Sequence, residues 1–355
     1  MKPILYVSLA VVMLSLVGHQ IPSSAGQTAV IPDALRTGAQ EWVNGQISDN
    51  DFLAILQQMV NNGMLALSTN EGHAAGPQAG TDLNCLVTPT EGINLSDCDL
   101  SGQDMAKVNL SGSDLSSSIL KGSDLSKSNL NGADLSGANL IGANLAGADL
   151  DGAKLYGANL KGANLVGAKL SGSKLAGANL DGAILSGSNL AFESLVDVKL
   201  VGTDLSNSDL SGADLSRADI SGAKLTNGRF YGTNFYGSDL KGVDLSNSEL
   251  AGANFFNANM EHANLTSSDL PDVNLSFADL TDSTLSNANF INAKMTWAKL
   301  DQSKMEGADL SGVDMSNADL TGTDLKGAEM SGVNLDNAKM VDTIRLCLDN
   351  PICLD

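Results

Sequence analysis

Side chains able to do chemistry are scarce in this chain of 355 residues, which has three histidines and four cysteines. Two spacings, Ser118-x-x-Lys121 and Ser171-x-x-Lys174, match an arrangement in which an amine activates a hydroxyl nucleophile. Both lie in a Ser/Lys-rich tract and lack the companion motifs of such enzymes, so chance accounts for them. His262 is the only histidine after residue 73, which leaves no nucleophile–base pair to build on. Aspartates recur, but calcium needs several oxygens converging on one point, and Asn and Lys interrupt the series. A His- or Cys-rich metal site is equally unexpected. These residues predict a protein that is not an enzyme and that carries no cofactor and no metal.

The composition points the same way. Acidic residues number 41 against 20 basic ones, a net charge of −21, which argues against a nucleic-acid or anionic-membrane binder. Hydrophobic residues make up 43% of the chain but aromatic ones only 4%, and glycine contributes 37. A core of this kind must be assembled from many small, similar contacts.

The N-terminus reads as an address. Lys2 precedes a largely apolar run from Ile4 to Val17, with small residues at Ser23 and Ala25. That is the layout of a secretory signal over 1–25, cleaved after Ala25; the run is short for a membrane span of roughly 20 residues, and an uncleaved anchor is the alternative. Residues 31–67 place Leu35, Ala39, Trp42 and Val43, then Phe52, Ile55, Leu56, Met59 and Val60, at helical spacing. This segment, from Ile31 to Leu65, resembles a short helical module of exported archaeal proteins. The match rests on Ile31, Pro32, Ala39, Trp42, Gly45, Ile47, Asp49, Phe52 and Gly63, while Ala34 and Glu41 replace its usual tryptophans. Residues 68–81 read as a flexible linker.

A strict period dominates the rest. Every fifth residue from Leu95 to Met340, fifty positions, is Leu, Ile, Phe or Met. Two positions earlier stands a small residue, as at Ala133, Ala138 and Ala143, with Asp, Asn or Lys between; two positions later comes Gly or a polar residue. On a helix, five residues advance a side chain by about 140°, so the leucines would spiral over every face. On a strand, an odd step alternates faces. Only a chain that bends once per repeat returns every leucine to a common interior, which is a solenoid.

Stretches such as ADLSGANLIGANLAGADL (133–150) resemble the pentapeptide-repeat family, over residues 95–340. The resemblance implies an all-β solenoid, a right-handed quadrilateral β-helix with four repeats per coil, hence about 12 coils and a rod of roughly 60 Å at the usual strand spacing. Leucine and the small residue would fill the lumen; Gln103 and Glu193, too large for the small slot, predict local bulges. Residues 82–94 and 341–355 would cap the exposed backbone edges. Cys85–Cys98 and Cys347–Cys353 are candidate bridges across those caps, as export permits; the rival reading makes Cys98 a buried thiol.

With 20 residues per coil, one surface feature emerges. Tyr236 and Phe256 lie 20 apart, as do Phe277 and Trp297, in adjacent outward columns of one face. They predict an aromatic stripe across four coils, about 15 Å long, with Tyr156 on the same face further back. Such a stripe could stack sugars, receive a protein, or close against a second copy of the chain; neighbouring rings simply covering one another is the plain alternative. Asn94, Asn109, Asn264 and Asn274 head N-x-S/T sequons, though asparagine is usual at that repeat position. The expected function is therefore an exported, non-enzymatic structural or binding protein, secreted or at the cell surface, with a protein or glycan partner and no nucleic acid. The alternative implied by the resemblance is a DNA mimic acting on DNA gyrase or another DNA-binding protein. Export opposes it, as do the lysines Lys154, Lys169, Lys174, Lys294, Lys299 and Lys304 that dilute the acidic columns.

Overall fold

The computed structural model describes Cys85 and residues 89–343. The expected signal (1–25), helical module (31–67), linker (68–81), residues 82–84 and 86–88 of the first cap and 344–355 of the second, with Cys347 and Cys353, lie outside the described residues. The chain divides into two compact units between Thr88 and Pro89, and the repeats occupy the second, Pro89–Asp355. No helix among the described residues is long and apolar enough to cross a membrane.

The period-five bend has a single cause. Every fifth residue from Gly92 to Asp342 adopts a left-handed backbone, with φ between 56° and 72°. Glycine accepts that region freely and Asn or Asp tolerate it, which explains the residue two places after each leucine. Each bend turns the chain onto the next face, and parallel bridges then join residues 20 apart, as in Asn94↔Asp114 and Asp134↔Lys154. Four repeats therefore make one coil. We number the faces by their bridging residues: the first carries 94, 114, 134; the second 99, 119, 139; the third 104, 124, 144; the fourth 109, 129, 149. The bridges are isolated ones, not extended strands, because two of every five residues are spent on the turn.

Inside, the leucine-position side chains are almost entirely buried from Leu95 to Met330, beside the buried alanine, serine, threonine or valine of the small slot. Phe230, Phe235, Phe255 and Phe290 occupy leucine positions at 0% exposure, and Phe235 stacks on Phe255 with centroids 4.7 Å apart. Volume is conserved locally: Gly228 holds the small slot before Phe230, and a Cβ there would meet the Phe230 ring at 2.5 Å. Buried hydroxyls mostly return to the backbone, as where Thr233 Oγ1 donates to the Leu210 carbonyl at 2.8 Å.

The two predicted bulges part company. At Gln103 the ladder is continuous, with Asp124 N–H donating to the Gln103 carbonyl at 2.9 Å. The side chain is half-exposed in an early coil and so need not enter the lumen. At Glu193 the side chain is buried and the ladder breaks: bridges are present at 149–169 and 154–174, then next at 189–209 and 194–214, with none joining 169 to 189 or 174 to 194.

Candidate functional site

The four stripe residues come together at the corner between the first and second faces. Tyr236 and Phe256 follow the lumen residues Phe235 and Phe255 directly, while Phe277 and Trp297 stand one place further on, in the left-handed turn position. Tyr236 and Phe256 stack at 5.8 Å and 6°, Phe256 meets Phe277 at 5.4 Å and 54°, and Phe277 and Trp297 stack at 6.3 Å and 4°. The result is one continuous ladder, with Tyr236 46%, Phe277 50% and Trp297 56% exposed and Phe256 half-buried between neighbours. Its stacked geometry follows from the coil spacing, which sets residues 20 apart one above the other.

Two members hold their places against a conformational penalty. Phe277 (φ 61°) and Trp297 (φ 60°) occupy turn positions that glycine, asparagine and aspartate dominate elsewhere. Bulky residues there are uncommon and carry strain. Behind the ladder at the same corner, Arg217 makes a two-pronged ion pair with Asp197, both contacts 2.8 Å. Tyr156 is 48% exposed at this corner, four coils earlier.

The recurrent aspartates and asparagines have a structural job. Most accept the N–H two residues on, closing the turn: Ser101 N–H donates to Asp99 at 3.0 Å, Ser126 N–H to Asp124 at 2.9 Å. Asparagines also form ladders between coils, Asn234 donating to Asp214, Asn254 to Asn234 and Asn274 to Asn254. Sequon residues Asn264 and Asn274 thus already spend their amide groups inside the array. Lysines answer the columns: Lys154 pairs with Asp134 at 3.0 Å, Lys169 with Asp149 at 2.9 Å and Lys299 with Asp279 at 2.7 Å, each one coil away.

These bonds hold several carboxyls below the ordinary aspartate range. The Ser101 hydroxyl does so at Asp99, the Ser126 N–H at Asp124, the Ser136 hydroxyl at Asp134 and the Lys169 ammonium at Asp149. A lowered folded-state value means the stabilisation is present above the ordinary aspartate range and is lost as pH falls through it. The urea midpoint is therefore expected to drop between pH 5 and pH 3. A midpoint unchanged at pH 3 would show the turn caps to be energetically idle.

The remaining candidates separate. Ser118 is fully buried in the small slot and its hydroxyl donates to the Leu115 carbonyl at 2.6 Å, which removes it as a nucleophile. Ser171 and Lys174 are exposed. No group of three or more His, Cys, Asp or Glu able to hold a metal occurs among the described residues. Cys85 and Cys98 are both disulfide-bonded. Two exposed aromatics were missed, Tyr231, at 44% exposure, and Phe192, at 84% exposure and φ 62°, both on the corner between the fourth and first faces; Phe192 is the more exposed. The Phe192 signal was legible, since it replaces the turn glycine just before the aberrant Glu193.

Stacked five-residue repeats, four to a coil, define a class: a β-solenoid of the quadrilateral kind. The pentapeptide repeats model matches 8 copies, in segments running from 93–132 to 303–342, so the chain belongs to the pentapeptide-repeat family, whose members are right-handed quadrilateral β-helices. No curated relative matches the chain. Among solved structures it is similar to HetL, a pentapeptide repeat protein involved in heterocyst differentiation regulation from the cyanobacterium Nostoc sp. strain PCC 7120. The identity is 25%, over 73% of this chain and 90% of that one, with a TM-score of 0.22. A pentapeptide repeat protein of the Arabidopsis thaliana thylakoid lumen is 32% identical over 34% of this chain and 77% of its own, at a TM-score of 0.23. QnrB1, a plasmid-mediated fluoroquinolone resistance protein, is 20% identical over 57% and 91%, at 0.23. Membership rests on the repeats rather than on these superpositions.

Proposed function

We propose that the protein is an exported, non-enzymatic scaffold whose solenoid presents the Tyr236–Phe256–Phe277–Trp297 ladder to a protein partner. The observation that carries this reading is the ladder itself, four contiguous rings left open to solvent, two of them kept at left-handed turn positions. Strain retained at an exposed site is a reason to look for function there. Stacked rings cover one another's faces and offer their edges. A sugar packs against an aromatic face, so a glycan platform is the weaker reading, whereas apolar and carbonyl groups of a protein surface suit ring edges.

Export draws on the signal layout of residues 1–25 and fits the disulfide-bonded state of Cys85 and Cys98, which belongs to an oxidising compartment. The pairing Cys85–Cys98 is part of this proposal. The DNA-mimic alternative takes its support from the net charge of −21. Against it stand the inter-coil ion pairs at Asp134, Asp149 and Asp279, which interrupt the run of negative charge.

The test replaces Tyr236, Phe256, Phe277 and Trp297 together with serine. Binding to isolated cell envelope, to glycan arrays and to itself, by light scattering, is compared with the parent, while circular dichroism follows the fold. Loss of envelope-protein binding or self-association with an unchanged spectrum is the expected result. Unaltered binding in every assay would remove the ladder from the function.

A further inference from the structure

The break at Glu193 is a second feature that regular repeats do not explain. From Gly92 to Gly322 the leucine-position N–H groups other than those of Leu170 and Leu175 donate to the next coil, as Leu150 does to the Lys169 carbonyl at 2.8 Å, and the turn N–H groups other than those of Gly167 and Gly172 do likewise, Gly152 to Ser171 at 2.8 Å. Leu170 and Leu175 make no such bond to the coil carrying Asn189 and Ser194, nor do the N–H groups of Asn189 and Ser194 reach back. The Gly172 N–H is diverted to Oε1 of Glu193. The flanking faces stay closed: Leu165 N–H donates to the Ile184 carbonyl at 2.8 Å, and Leu180 N–H to the Lys199 carbonyl at 2.7 Å. The coils are thus parted along the fourth and first faces and hinged along the second and third.

The cause is a side chain too large and too polar for its slot. Glu193 stands where alanine or serine stands in neighbouring coils, directly after Ser173 and before Ala213 in the inward column. The Ser173 hydroxyl is buried without a hydrogen-bond partner. A carboxylate in that slot needs donors, and it takes one from the backbone of the adjoining coil; a neutral carboxyl needs far less solvation and can itself donate.

We propose that the seam at Glu193 is a pH-operated joint in the solenoid, opened by the ionised carboxylate and closed by its protonation. Burial pushes the Glu193 carboxyl up from the ordinary glutamate value; the Gly172 N–H and the Lys174 charge oppose that shift, and Asp151 adds to it. That upward shift belongs to the parted seam; closing it returns the Gly172 N–H to the ladder and strips more solvent from the carboxyl, so the closed joint holds the proton more tightly still, and opening rises with pH above the parted seam's already raised value and levels off once the closed-state group is ionised. Gly172, Lys174 and Asp151 supply the groups facing it from the preceding coils; in the following coil Asp214 N–H holds the Glu193 carbonyl. Phe192 rides on this corner over Gly212, where a Cβ would lie 2.6 Å from its ring, so movement of the joint moves an exposed aromatic.

Hydrogen exchange with mass spectrometry on the full chain, from pH 4 to 8, tests this. Rates are corrected for intrinsic exchange and referred to residues 240–260 as an internal standard. For the parent, protection over 167–175 and 186–195 is expected to fall by up to tenfold per pH unit inside the titration window, the limit for one proton. Glu193→Gln keeps the size and should abolish the pH dependence; Glu193→Ala should raise protection to that of the standard. A parent whose relative protection is flat with pH, or a Glu193→Gln variant that keeps the dependence, overturns the proposal.

Discussion

Replacing Phe235 with alanine is expected to cost about 3–5 kcal/mol, the range for emptying a fully buried aromatic site. Phe235 is 0% exposed, stacked on Phe255 at 4.7 Å and 6.0 Å from Phe230. Its neighbours are fixed to coils above and below by backbone bonds, such as Phe235 N–H to the Asn254 carbonyl at 2.7 Å, so the lumen cannot collapse into the void. Each coil contacts only its neighbours, and the damage should stay local before it becomes global. Urea unfolding measures the cost, and hydrogen exchange should place the first loss of protection around residues 210–260. A cost below about 1 kcal/mol would mean that the coils do close over the gap.

Ala143→Glu should reproduce the Glu193 seam in a regular part of the rod, at a cost of about 3–5 kcal/mol for an uncompensated buried charge. Ala143 is 0% exposed between Ser123 and Ala163 of the adjoining coils. Around it the ladder is complete, with Asn144 N–H donating to Ser123 at 2.9 Å and Leu125 N–H to Asn144 at 2.7 Å. The variant should lose protection at those amides at pH 7 and regain part of it near pH 4. Ala143→Ser, which matches the slot residue of many coils, should leave both stability and exchange unchanged. If Ala143→Glu unfolds no more easily than the parent, slot size does not govern coil closure, and the cause assigned to the Glu193 seam falls with it.

These expectations draw unequally on sequence and structure. That the chain coils and that the leucines face inward were legible in the five-residue period; that the small residue joins them was implied by the family resemblance, and the turn at the glycine position came from the structure. A period which neither helix nor strand can satisfy leaves one way to bury fifty large apolar side chains. The coil length was legible too, through the family resemblance, and with it the alignment of Tyr236, Phe256, Phe277 and Trp297. Gln103 shows the limit of such reading. It breaks the small-residue rule as plainly as Glu193 does, yet only Glu193 parts the coils. Whether a misfit side chain is buried or escapes to solvent depends on the coils on either side of it, which no local pattern encodes.

By itself, then, the sequence determined the repeat, the inward set and the column in which each outward side chain stands, because a strict period converts position into geometry. Tertiary structure decided the rest. It alone set the ring planes of the aromatic ladder, gave the aspartates their turn-capping role and buried the Ser118 hydroxyl against a carbonyl. It also turned one glutamate into a two-face opening. Those outcomes depend on contacts between residues about 20 apart, where packing and hydrogen-bond competition between adjacent coils choose among side-chain positions that the pattern alone permits equally.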